Sequence, residues 1–222
     1  MRNEIMAHFT VIGLGRFGIT ASIELIHLGH TVTGLDKDER LVEQYASALT
    51  QALICDVTDE RTLRELNLCQ SEAVLVAIGE DMQASLICTL HLKNLGVKDI
   101  WVKANTSAHH TILSKLGVTR IVHPEEEMAV RIAQALNYPM ISDYLSVGHG
   151  NYIVDIQLPN TFEQATVEVL IRGFENSVLC LLLKRGEVVE KSPDPTFEVC
   201  KRDTLILYGP KEALVRIAPR LT

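Results

Sequence analysis

The sequence predicts an α/β chain in which a doubly wound parallel sheet is followed by a second, smaller α+β domain. Three observations predict it. Apolar runs of strand length alternate with helical patterns through the first 137 residues, and a glycine-rich turn joins the first strand to the first helix. From Asn151 the texture changes to short strands separated by loops rich in proline and acid. At 222 residues the chain can hold one full α/β domain and a small second one, each with its own core.

His8–Ile12 is the first β-prone run, and Gly13, Gly15 and Gly18 then fill the G-x-G-x-x-G positions. The first glycine turns the chain sharply out of the strand, the second leaves room beside bare backbone, and the third packs helix on strand. The following helix offers unpaired N–H groups and the positive end of a dipole, which together favour an anion such as a nucleotide phosphate. Thr31–Leu35 reads as the second strand, with Asp36 at its tip, eighteen residues beyond Gly18. A carboxylate there accepts bonds from both ribose hydroxyls and repels a phosphate esterified to them, so NAD or an adenosine nucleotide is expected rather than NADP. This makes the sheet Rossmann-type. Arg16, between the second and third glycines, has two readings: a guanidinium forked onto phosphate oxygens, or an exposed helix-start arginine.

Further strands are expected near Ala52–Cys55, Ala73–Ile78, Ile100–Val102 and Arg120–Val122, with helices between them. The best-marked helix is Gln83–Leu95, stopped by Gly96. Ligands of such sheets sit outside the carboxyl ends of the strands, which makes the strand tips candidate contacts. After the third strand, Asp56 and Val57 stand where an adenine edge would lie; helix capping is the alternative for Asp56 and the preferred reading for Asp59. After the fourth, Ile78 and Gly79 allow close backbone approach, and Glu80 or Asp81 begins a helix. After the fifth, Lys103 is either a second cation for phosphate or a solvated lysine. His109 and His110 are adjacent on a helix start, so at most one of them faces the site. Pro124 suits a first helical position, and Glu125, Glu126 and Glu127 complement the dipole of the helix they start. Proline and glycines mark residues 138–150 as a linker between domains at 1–137 and 151–222. In the second domain, strands are expected at Tyr152–Leu158, Val178–Lys184 and Thr204–Tyr208, then a short amphipathic helix.

The formal charge of −7, with no basic cluster, argues against nucleic acid as a partner. No segment approaches the roughly eighteen uninterrupted apolar residues of a membrane span, and MRNEIMAHF lacks an apolar signal-peptide core, so a cytoplasmic protein is expected. The five cysteines are widely spaced and form no C-x-x-C pair, which reads as reduced, mostly buried thiols.

GLGRFG, the following Asp36, CDVTDE, AIGEDMQAS, IWVKA and IVHPEEEMA occur in the order and spacing of the KTN/RCK family, which regulates potassium channels and transporters. The chain resembles the cytosolic subunits of bacterial Ktr potassium uptake systems, tightly over the first domain and only in length, placement and a late Gly-Pro turn over the second. The resemblance implies an RCK-N domain followed by an RCK-C domain, and dimers assembling into an octameric ring. That ring would sit on the inner face of the membrane beneath a KtrB-type potassium-translocating partner. It also implies that ATP activates and ADP inactivates.

By the same resemblance, Gly13, Gly15, Arg16, Phe17 and Gly18 form the phosphate turn, with Arg16 reading the γ-phosphate. Asp36, Lys37 and Asp38 match the ribose segment, Asp56 and Val57 the adenine segment, and Ile78, Gly79 and Glu80 the fourth strand tip. Lys103, Ala104, Asn105 and His109 match the remaining nucleotide contacts. Glu125 matches a position that contributes to a divalent or monovalent cation site between paired subunits. A redox sensor that binds NAD(H) without turning it over fits the same residues. An NAD-dependent oxidoreductase would also need an acid or base facing the nicotinamide. The small second domain offers no recognisable catalytic pair, and the chain contains no Tyr-x-x-x-Lys motif, so no enzyme activity is expected.

Overall fold

The computed structural model describes residues 6–137 and 141–221. The chain divides into two compact units, Met1–Pro124 and Glu125–Thr222. In the first, strands and helices alternate: β1 (His8–Ile12), α1 (Arg16–His27), β2 (Thr31–Asp36), α2 (Glu39–Tyr45), β3 (Gln51–Ile54), α3 (Glu60–Glu65), β4 (Ala73–Val76), α4 (Met82–Asn94), β5 (Ile100–Lys103), α5 (Ser107–Leu116) and β6 (Arg120–Val122). All the ladders are parallel, in the order β3-β2-β1-β4-β5-β6. This is the doubly wound sheet expected from the sequence, and its order reverses between β1 and β4.

Consecutive residues on a strand face opposite sides, so each strand feeds two cores. Val11 packs with Leu14, Ile19, Val32, Val42 and Leu49 on one face. Ile12 packs with Leu35, Val74, Val76, Leu92, Val102 and Leu113 on the other. Burial on both faces explains why these strands read as nearly continuous apolar runs rather than alternating ones. Leu35, Leu63, Leu92 and Leu113 are fully buried, and at roughly 1.5–3 kcal/mol for each such side chain packing, not intrinsic propensity, holds these short helices. β4 ends at Val76, two residues earlier than its apolar run suggests, and Ala77–Gly79 continue as a tip loop.

The second unit contains nearly all of α6 (Pro124–Asn137), then β7 (Ile141–Gly148), β8 (Asn151–Gln157), β9 (Ala165–Thr166), α7 (Val167–Ile171), β10 (Leu179–Arg185), β11 (Val188–Lys191), β12 (Glu198–Val199), β13 (Thr204–Pro210) and α8 (Lys211–Ile217). Five strands form an antiparallel sheet in the order β11-β10-β13-β8-β7, and β12 pairs with β9. Val154, Ile156, Leu183, Leu205 and Leu207 of this sheet share a core with Leu214 and Ile217 of α8.

The linker expected at 138–150 needs correcting, because Ile141–Gly148 is a strand. Gly148 pairs with Asn151, and His149 and Gly150 form a two-residue turn with φ of 52° and 76°. Positive φ at both turn positions matches the right-handed twist of a hairpin, and glycine supplies it without strain. The glycines that suggested a flexible connection therefore close a β-hairpin. The compact boundary falls earlier, between Pro124 and Glu125.

Also in this unit, Arg185 donates from Nε to Asp203 Oδ1 at 2.9 Å and from Nη2 to Asp203 Oδ2 at 2.7 Å. The same Nη2 reaches the Glu198 carbonyl, and the Cys200 N–H donates to Asp203 Oδ2 at 2.8 Å. Asp203 is 1% exposed. Burial pushes its carboxyl up, but the bonds from Arg185 and the Cys200 amide outweigh that and hold it below the usual carboxylate range. No helix among the described residues is long and apolar enough to cross a membrane.

Candidate functional site

Two of the three glycines of the first turn are required by the fold and one is not. Gly13 has φ of +96°, and a Cβ there would lie 3.1 Å from the Ala77 carbonyl carbon and the Ile78 nitrogen, where the β1 and β4 tips meet. A Cβ on Gly18 would collide with the Gly13 carbonyl oxygen. At Gly15 a Cβ would meet no atom from elsewhere in the described chain within 4 Å, so packing does not demand glycine there.

Asp36 holds this turn. Its Oδ2 accepts the Leu14 N–H at 2.7 Å and its Oδ1 accepts the Asp38 N–H at 2.9 Å. Each oxygen keeps a lone pair for a further donor. Asp36 therefore has a backbone role besides the ligand role its position suggests. The i to i+2 bond to Asp38 is the local signal that would have exposed it.

The helix starts differ sharply. Asp38, Asp59, Asp81 and Thr106 cap α2, α3, α4 and α5 with side-chain acceptors. Asp59 is therefore the capping residue its sequence context suggested, and of Glu80 and Asp81 it is Asp81 that caps. α1 begins at Gly15 with no side-chain cap and no acid in its first turn. Its first residue, Arg16, is exposed, and its guanidinium makes no hydrogen bond or ion pair among the described residues. An uncapped helix start with an exposed arginine can bind a phosphate through both backbone and side chain.

The other strand tips surround this turn. Lys37 Nζ lies 3.9 Å from Asp81 Oδ2, an exposed pair that links the tips of β2 and β4. Asp56 Oδ1 accepts both the Thr58 hydroxyl, at 2.7 Å, and the Thr58 N–H, at 3.0 Å; these bonds hold its carboxyl below the usual range. Asp56 therefore does not cap α3, which Asp59 does; it closes the turn before that helix, and its Oδ2 has no hydrogen-bond partner among the described residues. Val57 is 7% exposed and packs in the core. Ile78 also packs against that core, and Glu80 is exposed.

Lys103 is 8% exposed, so it is not a solvated surface lysine. Its Nζ sits 5.9 Å from the Phe17 ring centroid and beside Gly79. A cation at that distance over an aromatic face is attracted to the ring, so Phe17 positions Lys103 against the glycine turn. Asn105 donates from Nδ2 to the Gly79 carbonyl and ties the β5 tip to the β4 tip. Ala104 is buried and continues the β5 ladder through its N–H to the Val122 carbonyl at 2.9 Å.

His109 is fully buried, and neither ring nitrogen has a partner among the described residues. Burial, with His123 nearby, pushes its pKa down and favours the neutral ring. Glu125 opens the second unit, in the first turn of α6 with Glu126 and Glu127. Among the described residues no group of three or more His, Cys, Asp or Glu is arranged to hold a metal ion. All five thiols are free, with Cys55 and Cys88 buried and Cys69 exposed.

The chain is similar to known proteins over nearly its whole length. Two Bacillus subtilis proteins, Ktr system potassium uptake proteins A and C, are 36% and 38% identical to the chain. The first match covers 94% of both chains and the second 96% of both. The solved structure described as the GsuK channel bound to NAD matches all of this chain and 40% of its own, with a TM-score of 0.62 at 13% identity. The TrkA-N domain family matches residues 9–124, from within β1 to the first residue of α6. The chain belongs to the TrkA-N domain family.

Proposed function

We propose that the chain is a nucleotide-sensing regulatory subunit of a potassium uptake system, not an enzyme. The observation that carries this is the start of α1, which lacks the side-chain cap that every other helix from α2 to α5 has and presents Arg16 beside the opening at Gly15. ATP binds there with its phosphates on the uncapped N–H groups and its γ-phosphate on Arg16. Asp36 accepts the ribose hydroxyls, with Lys37 and Asp38 beside it, and Asp56 and the Val57 backbone read the adenine. Lys103 and Asn105 approach the phosphates from the β5 tip. ADP lacks the group that Arg16 reads.

A ligand shifts a conformational equilibrium only by its difference in affinity for the two states. ATP therefore favours the active arrangement and ADP the inactive one, with a coupling of about 1–3 kcal/mol typical of such linkage. Dimers assemble into an octameric ring that binds a KtrB-type membrane subunit at the inner face of the membrane. That partner carries the potassium, and Glu125 helps to bind a cation between paired subunits.

Calorimetry tests the central claim. Wild type should bind ATP more tightly than ADP, and Arg16→Ala should erase that preference while leaving ADP affinity within about twofold; a preference that survives the substitution refutes the reading. The second reading, an NAD(H) sensor, is favoured by the structural match to a channel described as bound to NAD. Competition between ATP, ADP and NADH for one site separates the two.

A further inference from the structure

A polar ring set against an apolar layer costs free energy unless its nitrogens find partners. His91, in the last turn of α4, is followed by the fully buried Leu92, and its own side chain is only 17% exposed. Both ring nitrogens meet the start of α3. Nε2 lies 3.1 Å from the Thr58 carbonyl oxygen, and Nδ1 lies 3.4 Å from Glu60 Oε2. A carbonyl only accepts, so Nε2 carries the proton and donates it. Thr58 in turn holds Asp56, because its N–H and its hydroxyl both donate to Asp56 Oδ1. One residue thus joins the Asp56 carboxylate to α4, and all of these groups belong to the first unit.

We propose that His91 is a positioning residue for base recognition, tethering the turn at 56–59 to α4 so that Asp56 Oδ2 is aimed at the exocyclic amine of adenine. The inference rests on the proposed reading of Asp56 as the adenine contact. The Asp59 N–H donates to the Asp56 carbonyl oxygen at 3.2 Å, which closes the turn on itself. Val57 anchors it by a side chain in the core. His91 adds a bond to the residue that supplies both donors of the carboxylate. Without that bond the turn, exposed at Asp56 and Thr58, can tilt about the Val57 anchor.

Tilt matters because a hydrogen bond weakens steeply as its angle departs from linear. A tilted Asp56 loses the amine, while the phosphates at the start of α1 keep their partners. The effect is therefore selective for the base. A contact that served stability alone would weaken every nucleotide alike. α4 also meets the ribose segment at its other end, where Asp81 Oδ2 lies 3.9 Å from Lys37 Nζ.

Calorimetry on the full-length chain tests the proposal by comparing ATP with purine riboside triphosphate, which carries hydrogen in place of the amine. Wild type should bind ATP about tenfold more tightly than the analogue. His91→Leu removes the donor and should cut that ratio to roughly threefold or less. The ratio of ATP to ADP affinity, set at the distant phosphate end, should stay within about twofold of wild type. His91→Gln, whose side-chain amide can donate in place of Nε2, should keep both ratios. Thermal unfolding shows whether each variant folds, and His91→Phe supplies the same loss of donor if His91→Leu does not. An unchanged preference for ATP over the analogue in a folded variant without the donor overturns the positioning role, as does an equal fall in the ATP-to-ADP ratio. A wild type that does not prefer ATP to the analogue overturns the adenine reading, and this proposal with it.

Discussion

The two units treat their charged side chains in opposite ways. In the second, Asp203 is buried and every strong donor around it is engaged: Arg185 with two nitrogens and the Cys200 amide with its N–H. In the first, Arg16 stands exposed at a helix start that no side chain caps. A closed set of hydrogen bonds serves the fold, whereas polar groups left open at the strand tips serve, on the proposed reading, a ligand that arrives from outside. Burial and satisfaction, rather than charge itself, separate the two uses.

The sharpest way to break this comparison is to change the shape of the open site without touching a charge. Gly18→Val places a side chain against the Gly13 carbonyl, so the turn must move; we expect a loss of about 3 kcal/mol or more in urea unfolding, together with lost nucleotide binding. A variant that keeps both would show that the turn is not held by close packing. Next in size, Asp203→Ala leaves Arg185 and the Cys200 amide without their acceptor. It should cost about 2–3 kcal/mol while leaving nucleotide affinity unchanged, and a fall in that affinity would blur the division between structural and ligand-directed charge.

The same residue predicts a pH dependence. Its carboxyl is held below the ordinary value, so its contribution is complete above the usual carboxylate pKa of about 4 and is lost as pH falls through the depressed folded value. The stability gap between wild type and Asp203→Ala should be full at pH 7 and close in acid; a gap that widens in acid contradicts the assignment. Smallest is Asp81→Ala, which removes the α4 cap and its exposed pair with Lys37. We expect about 1 kcal/mol by thermal unfolding, nearly all from the cap, because exposed pairs contribute about 0–1 kcal/mol and are screened by salt. A loss that shrinks strongly with added salt would assign it to the pair instead.

The first unit was legible in the sequence because its signals are local. Glycine spacing, strand runs and capping acids each act within a few residues, and the alternation gives a doubly wound sheet, whereas the order β3-β2-β1-β4-β5-β6 is set by pairing between distant strands. The second unit was less so. A type of turn that tolerates His149 and Gly150 looks, in sequence, like the flexible linker it is not, and β7 was lost with it. Contacts between distant residues were invisible for a different reason: nothing local says that Lys103 lies against Phe17, or that His110 meets His123. Asp36 is the intermediate case: its place at the tip of the second strand is legible, but its bonds to the Leu14 and Asp38 amides are not.

On the proposed reading, that backbone role of Asp36 has a kinetic consequence. Because the Leu14 and Asp38 amides already orient the carboxylate, a ligand reaching the turn finds it preorganised and has little loop entropy to remove. Association with such a site runs at the rate of oriented encounter, and differences between ligands then appear in how long each one stays. On the proposed nucleotide-sensing reading, such a site distinguishes nucleotides by residence time and follows their ratio in solution only as fast as the slower one leaves.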